Sequence, residues 1–296
     1  MVCAMEGIDM INTDGFAVIG GDARQLAMAE SIFADGYNVY MVGFENIELK
    51  TGLISFSLDD ALKKTELVLL PVPAMGIDGH LNAPYSSAKI NLDDNFARKM
   101  YEKKVFCGVP EKLIATSEIW KNINLNDYSK RDDFAISNAV PTAEGAMGIA
   151  MFEYKGTIHG ARCLVSGFGR VGKAVCKALN SLGAKVTASA RKPADLAWIK
   201  TLGYESISTG DIAANIDFDI IFNTIPDLIF DEKTLTKLKP DTIIIDLASL
   251  PGGVDFEAAK KLGLNAIQAL GLPGKVAPKT AGEIIKNTVY NMIEEG

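Results

Sequence analysis

Histidine, cysteine and long apolar runs are the scarce features of this 296-residue chain. Only two histidines occur, His80 and His159, and the four cysteines, Cys3, Cys107, Cys163 and Cys176, show no C-x-x-C spacing. That argues against zinc and against a disulfide framework, and reduced thiols are the expectation. No basic run exceeds a pair, and 30 Lys and Arg against 37 Asp and Glu give a net charge of -7. Neither nucleic acid nor an anionic membrane is an expected partner. No apolar stretch reaches about 18 residues, and the first residues do not read basic and then apolar, so a cytoplasmic location is expected. Low-complexity segments and sequence repeats are also missing. Small molecules remain as the expected ligands.

What the chain does have is apolar content, 48% of residues, in an alternation of strand-like and helix-like segments. Such alternation marks parallel α/β sheets, and here it happens twice. The fold expected is α/β, two doubly wound parallel-sheet domains, the C-terminal one a Rossmann dinucleotide-binding fold. Residues 1–140 read as an N-terminal, flavodoxin-like substrate domain with strands near 16–20, 37–43, 67–71 and 105–109 and helices near 24–34 and 93–103. Pro141 is a favoured first helical residue, so a connector helix is expected over 141–156. Residues 157–274 supply six strands, near 163–166, 186–189, 205–207, 219–223, 242–247 and 265–269, enough for both halves of a Rossmann sheet. The segment 275–296 reads as a last helix packing back on the connector or the N-terminal domain.

The second domain opens with Gly167-Phe168-Gly169-Arg170-Val171-Gly172 between a strand and a helix. The first glycine permits the tight turn, the second lets a pyrophosphate approach the backbone, and the third lets helix and strand sit close. Amides at the helix start then face the phosphates. At the end of the next strand, an NAD-binding chain usually carries an acid for the ribose hydroxyls. Here Ser189-Ala190-Arg191-Lys192 stands instead. Arg191 can grip a 2′-phosphate with its planar fork and Lys192 adds charge, so the expected cofactor is NADP. Asn223, Thr224 and Pro226 close the fourth strand, and Ala248 and Ser249 the fifth. These carboxyl ends are where doubly wound sheets bind ligands. Ordinary loop punctuation is the competing account of the prolines and glycines there.

Candidates for substrate contact are spread more widely. Arg24 falls in the opening turn of a helix, where it can meet a carboxylate or pair with a local acid; Asp22 beside it reads as an N-cap. Ser86 and Ser87, after the 67–71 strand, are candidate carboxylate donors, and His80 nearby is a candidate base. A structural hydrogen bond accounts better for His159, which precedes the first Rossmann strand. Thr142 and Glu144 are expected in the first turn of the connector, Thr142 as a donor and Glu144 as a base or merely as a favourable charge at a helix start. Lys275 and Lys279 follow the sixth strand, with Lys279 at the start of the last helix. Apart from Asp22 and His159, these are expected to face a cleft that closes around the substrate and excludes water.

Seven segments, in order along the chain, carry a family likeness: VIGGDARQLA (18–27), VPTAEGA (140–146), TIHG (157–160), GFGRVG (167–172), NTIP (223–226), DLASLPGGVDF (246–256) and LGLPGKVAPKTAG (270–282). In these the chain resembles the dipicolinate synthase A-subunit family. The resemblance implies oxidation of dihydrodipicolinate to pyridine-2,6-dicarboxylate, the spore dipicolinic acid, with NADP. It also implies the flavoprotein-like dipicolinate synthase B-subunit as partner and the mother cell of a sporulating bacterium as the setting. Residues 72–87 depart from the familiar pattern, which leaves His80 outside it. A small dicarboxylate substrate accords with the donors above, and homo-oligomerisation stays open. Two other readings stand beside this one: a shikimate dehydrogenase-like enzyme, and a non-catalytic NADP-binding subunit of a complex.

Overall fold

In the computed structural model, which describes residues 11–296, the chain forms two compact units. One holds Met1–Ala135 together with Pro278–Gly296, and the other Ile136–Ala277. The N-terminal unit contains β1 (Phe16–Ile19), α1 (Ala23–Ala34), β2 (Val39–Val42), β3 (Ile54–Ser55), α2 (Leu58–Lys64), β4 (Leu67–Leu69), α3 (Asp94–Lys99), β5 (Lys104–Cys107), α4 (Glu111–Ile114) and β6 (Asn124–Asp127). Helix α5 (Asp132–Glu153) carries the chain into the C-terminal unit. There β7 (Arg162–Ser166), α6 (Arg170–Ser181), β8 (Lys185–Ala190), α7 (Pro193–Thr201), β9 (Glu205–Ser208), β10 (Ile220–Asn223), α8 (Glu232–Leu235), β11 (Ile243–Asp246), α9 (Phe256–Lys261), β12 (Asn265–Gln268) and α10 (Leu272–Val276) follow. The last helix, α11 (Pro278–Glu294), belongs to the N-terminal unit.

Each unit has one six-stranded parallel sheet, ordered β3-β2-β1-β4-β5-β6 and β12-β11-β10-β7-β8-β9. Alternation along each central strand splits the core in two. Phe16 and Val18 of β1 face one cluster, with Met28 and Ile32 of α1 and Ile285 and Val289 of α11, whereas Ala17 and Ile19 face the opposite one. In β7, Cys163 and Val165 join Val175 and Leu179 of α6, and Leu164 faces Leu235 and Ala258. Burial on both faces is why these strands read as continuous apolar runs.

Two expectations need correction. The N-terminal sheet has six strands, not four. Beyond those read from the sequence it carries β3, two exposed residues, and β6, the polar stretch Asn-Leu-Asn-Asp; both are edge strands with little apolar signal to read. Without β3 the order is the flavodoxin one; with it, the order is that of a Rossmann sheet. The connector begins nine residues before Pro141, which lies inside α5. The start signal is Asp132-Asp133 in the first turn, favourable beside the free amides. Proline removes only one amide there, and Thr142 Oγ1 bonds the Asn138 carbonyl at 2.7 Å. The chain accordingly divides after Ala135 rather than at 140. The last helix, α11, lies along α1 of the N-terminal unit, one of the two placements expected for it, and a Cβ on Gly282 would come within 2.6 Å of the Arg24 carbonyl oxygen. Lys286 ties the pair together through Asp35 at 2.8 Å.

Among the described residues no helix is long and apolar enough to cross a membrane. No cluster there could hold a metal ion. Cys107, Cys163 and Cys176 are buried free thiols, and burial pushes the last two up to about 12. Cys3 lies outside the described residues.

Candidate active site

The turn from β7 into α6 is built by three glycines in three different situations. Gly167 has φ +95, and a Cβ there would meet Thr224 Oγ1 at 2.5 Å. A Cβ on Gly172 would sit 2.2 Å from the Gly167 carbonyl oxygen, so strand and helix touch through this residue. Gly169 is the opposite case: its φ is negative and nothing lies within 4 Å of where its Cβ would be. It is the N-cap of α6 and offers no side chain to the helix amides. The result is a helix start whose N-cap residue supplies no side-chain cap and leaves open space beside it, which suits a pyrophosphate. Arg170 is exposed and Val171 half-buried at this start. Phe168 is buried in the core beneath Lys173, whose ammonium lies 5.4 Å from the ring centre, so only its backbone belongs to the turn.

Strand β8 ends beside this turn. Ser189 is fully buried and accepts the Gly167 amide at 3.2 Å, fixing the turn from below. Arg191 and Lys192, the next exposed residues, have no carboxylate partner among the described residues. Two cations thus stand uncommitted where an acid would read a ribose.

The ends of β10 and β11 are tied to each other. Asn223 Nδ2 donates to Asp246 at 2.8 Å and to the Ile225 carbonyl at 2.9 Å, and Asn223 Oδ1 accepts from the Ile225 amide. Expected as a cofactor contact, Asn223 is instead fully buried with its amide committed inside the protein. Thr224 is half-buried and gives its hydroxyl to the Ser166 carbonyl. Pro226 and Ser249 are exposed, and Ala248 is buried, its amide bound to Asp246.

In the N-terminal unit, the turn after β1 is closed by its own side chains. Asp22 caps α1 in a capping box with Gln25. Arg24 does not stand free: Nε and Nη2 hold the Asp22 carboxylate at 2.9 and 2.8 Å, and Nη2 also reaches the Val72 carbonyl at 2.6 Å. The local ion pair weighed from the sequence is what forms, leaving Nη1 for any further partner. Residues 81–83 lie over the turn, with the Gly21 amide bonded to the Asn82 carbonyl at 2.7 Å. The same loop folds around a groove of about 660 Å³ whose polar lining includes Asp78, His80, Asn82, Ser86, Ser87 and Lys89. Ser86 Oγ is spent on the Ala88 carbonyl at 2.6 Å, and Ser87 gives its amide to Glu45. His80 Nδ1 lies 3.0 Å from the Asp78 carbonyl and Lys89 3.0 Å from the Asp78 carboxylate. The bond to Lys89 comes first among the causes that hold the Asp78 carboxyl below its ordinary range.

The remaining candidates are scattered. Thr142 gives its proton to its own helix, so it is not a free donor, and Glu144 is exposed in mid-helix, so a helix-start charge does not explain it. Lys275 and Lys279 are both exposed, the latter second in α11. The ring of His159 packs on Gly183, and no hydrogen bond to it is found among the described residues, against the bond expected.

A protein of Bacillus subtilis, the dipicolinate synthase A-subunit, is 36% identical to this chain over 283 residues, covering 94% of the chain and 95% of the relative. The chain belongs to the dipicolinate synthase A-subunit family. A family model for the N-terminal domain of the dipicolinate synthase A-subunit matches residues 15–128. One for the NAD-binding domain of D-isomer-specific 2-hydroxyacid dehydrogenases matches residues 142–253, so the C-terminal unit carries a nicotinamide-dinucleotide-binding dehydrogenase domain. Crystal structures of the dipicolinate synthase A-subunits from Bacillus halodurans (33% identity, TM-score 0.86, 97% of this chain and 100% of that one) and Bacillus subtilis (35%, 0.84, 95% and 96%) share the fold. A transhydrogenase from Sinorhizobium meliloti, at 18% identity and a TM-score of 0.67 over 94% of this chain and 93% of its own, shares the fold alone.

Two further residues, Asp246 and Gly253, shape the strand ends and were not among those expected from the sequence. Asp246 is fully buried, and a Cβ on Gly253 would come within 2.3 Å of Asn223 Nδ2 and 2.5 Å of the Ile225 carbonyl. The signal was an acid ending an Ile-Ile-Ile strand, a place where a carboxylate needs several donors to be tolerated.

Proposed function

We propose that this chain is the oxidising subunit of a dipicolinate synthase, taking one hydride and one proton from dihydrodipicolinate to leave aromatic pyridine-2,6-dicarboxylate. NADP+ is the acceptor. The observation that carries the cofactor choice is the end of β8, where Arg191 and Lys192 are exposed and unpaired among the described residues and no acid takes the ribose position. The uncapped start of α6 and the space at Gly169 fit a pyrophosphate. When bound, the oxidised nicotinamide supplies a hydride acceptor.

The protein's own residues do the rest. Arg191 holds the 2′-phosphate through its planar fork, and Lys192 adds a second charge. Thr224, Pro226, Ala248 and Ser249 flank the nicotinamide half. In the N-terminal unit, Arg24 Nη1, the Ser87 hydroxyl and Lys279 are the donors to carboxylate, the Ser86 hydroxyl being held by the Ala88 carbonyl. Glu144, an exposed carboxylate without a structural partner among the described residues, takes the proton that leaves as the ring becomes aromatic. Kinship with the dipicolinate synthase A-subunit also supports a second, flavoprotein-like subunit as partner and a role in spore formation.

The test is NADPH formation from freshly generated dihydrodipicolinate, with and without the partner subunit. Arg191→Ala weakens NADPH by about 10- to 150-fold, the worth of one charged bidentate contact, and leaves NADH nearly unchanged. Glu144→Gln lowers turnover and keeps NADPH binding. Equal loss of both cofactors in Arg191→Ala, or turnover of shikimate in place of the dihydropyridine, contradicts the reading.

A further inference from the structure

Across four adjacent strands of the C-terminal sheet, Ser189, Ser166, Asn223 and Asp246 stand in one register row at the carboxyl ends. All four are fully buried. A polar side chain buried in an apolar sheet is costly unless it is hydrogen-bonded, so the partners of this row matter. The Ser189 side chain serves the dinucleotide turn through its bond to the Gly167 amide, whereas Ser166 contributes only its backbone carbonyl, which accepts Thr224, and its hydroxyl has no partner among the described residues. The other two members serve a different purpose. The Asp246 carboxylate accepts the Ala248 amide at 3.1 Å, the Gly253 amide at 3.0 Å and Asn223 Nδ2 at 2.8 Å. Asn223 in turn holds both the amide and the carbonyl of Ile225. One buried pair therefore pins two separate loops, 224–226 and 248–253, to each other.

The glycines of the second loop fit the same purpose. Gly252 has φ +86, and a Cβ there would come within 2.8 Å of Asp246 Oδ2. At Gly253 the loops touch so closely that a side chain would strike Asn223, Ile225 and Asp227 together. The Gly253 carbonyl then accepts the amides of Ile229 and Phe230, which fixes the far side of the first loop.

We propose that Asp246, acting through Asn223, is a positioning residue for the nicotinamide end of the dinucleotide, setting the spacing of the two loops that flank it. This rests on the dehydrogenase reading above. It assigns no contact to either side chain, since both are buried and fully engaged within the protein. The adenosine end, read by the α6 start and Arg191, does not depend on this pair.

Comparison of the whole cofactor with its adenosine half tests the proposal. In Asp246→Asn, an NH2 group replaces one acceptor and faces backbone or side-chain donors. Turnover per site falls by about 10- to 150-fold, the worth of one hydrogen bond to a charged group. Affinity for 2′-phospho-ADP-ribose, measured by calorimetry and used to count folded sites, stays within about twofold of the parent, because its contacts lie elsewhere. NADPH loses its affinity advantage over that fragment. A merely structural role predicts fewer fragment-binding sites and a lower melting midpoint, with unchanged turnover at each remaining site, and that result overturns the proposal. Should Asp246→Asn not fold, Asn223→Ser, which leaves both backbone bonds of Asp246, carries the same readout. Parent protein that binds the fragment but neither turns over nor binds NADPH more tightly overturns the dehydrogenase reading itself.

Discussion

Both sheets run their strands in the same order, and in both a glycine-containing turn leads from the central strand into a helix of 12 residues. The two helix starts are nonetheless opposites. At α1, Asp22 and Gln25 occupy the first amides, Arg24 neutralises the cap, and residues 81–83 lie over the turn. At α6, a glycine takes the cap position and gives no side-chain cap, and the space where its Cβ would stand is open. Any helix start has unsatisfied donors. In one unit the N-cap side chain answers them, and in the other the N-cap residue has no side chain to do so. Topology alone does not make a dinucleotide site: the occupant of the cap position decides, and one aspartate in place of one glycine accounts for much of the difference.

The largest effect expected from this comparison is at Gly172. Alanine there places a Cβ on the Gly167 carbonyl oxygen, and the turn must open. Gly172→Ala should cost up to about 3 kcal/mol of stability and abolish measurable NADPH binding. Urea unfolding and fluorescence titration check the two halves of this statement, and normal NADPH binding would break the account of the third glycine.

Arg24→Lys sharpens the other side of the comparison. Lysine keeps the charge but cannot hold Asp22 through two nitrogens while reaching the Val72 carbonyl. A loss of about 1.5 kcal/mol in urea unfolding is expected, typical of a charged hydrogen bond. A matching fall in affinity for pyridine-2,6-dicarboxylate would show that Nη1 also serves the substrate. Unchanged stability would mean that the closed turn does not need its arginine.

The smallest effect concerns pH. Bonds from Arg131 hold the Asp133 carboxyl down to about 2, and Asn291 of α11 adds to this. A depressed carboxyl stabilises the fold above its unfolded value, near 4, and that contribution is lost as pH falls through about 2. The thermal midpoint should therefore drop by a few degrees across this window, modest because the pair is partly solvated. Arg131→Met should flatten the drop when circular dichroism melts are compared, and an unchanged slope would remove Asp133 from the account.

Legibility from sequence followed the same physics. The central strands β7, β10 and β11 of the C-terminal sheet announced themselves as buried apolar runs, and the glycine turn after β7 by its need for particular backbone geometry. Edge strands β3 and β6 did not, because two exposed residues, or four mostly polar ones, carry no usable alternation. Pro141 misled because proline is equally at home in a first turn and in a tolerated interior site; Asp132 and Asp133 held the truer start signal. Among the proposed site residues, Arg191 and Lys192 stand out in the sequence by the acid missing at their position, and both are exposed at the end of β8. The role of Asn223 was not legible, and for Arg24 the sequence left ligand and local acid as alternatives, since whether a polar side chain meets a ligand or a neighbour depends on register and loop packing far away in sequence.

The contrast between the two helix starts can be tested by exchanging their caps. Gly169 has a negative φ and room for a side chain, so Gly169→Asp can adopt the geometry Asp22 has at α1. The account predicts that the aspartate caps α6, leaves the melting midpoint equal or higher, and weakens NADPH by at least about 100-fold through occupied amides and a charge facing the phosphates. Calorimetric titration of NADPH into the folded Gly169→Asp protein is the measurement. Affinity equal to the parent's would contradict the claim that the open start of α6 is the dinucleotide site.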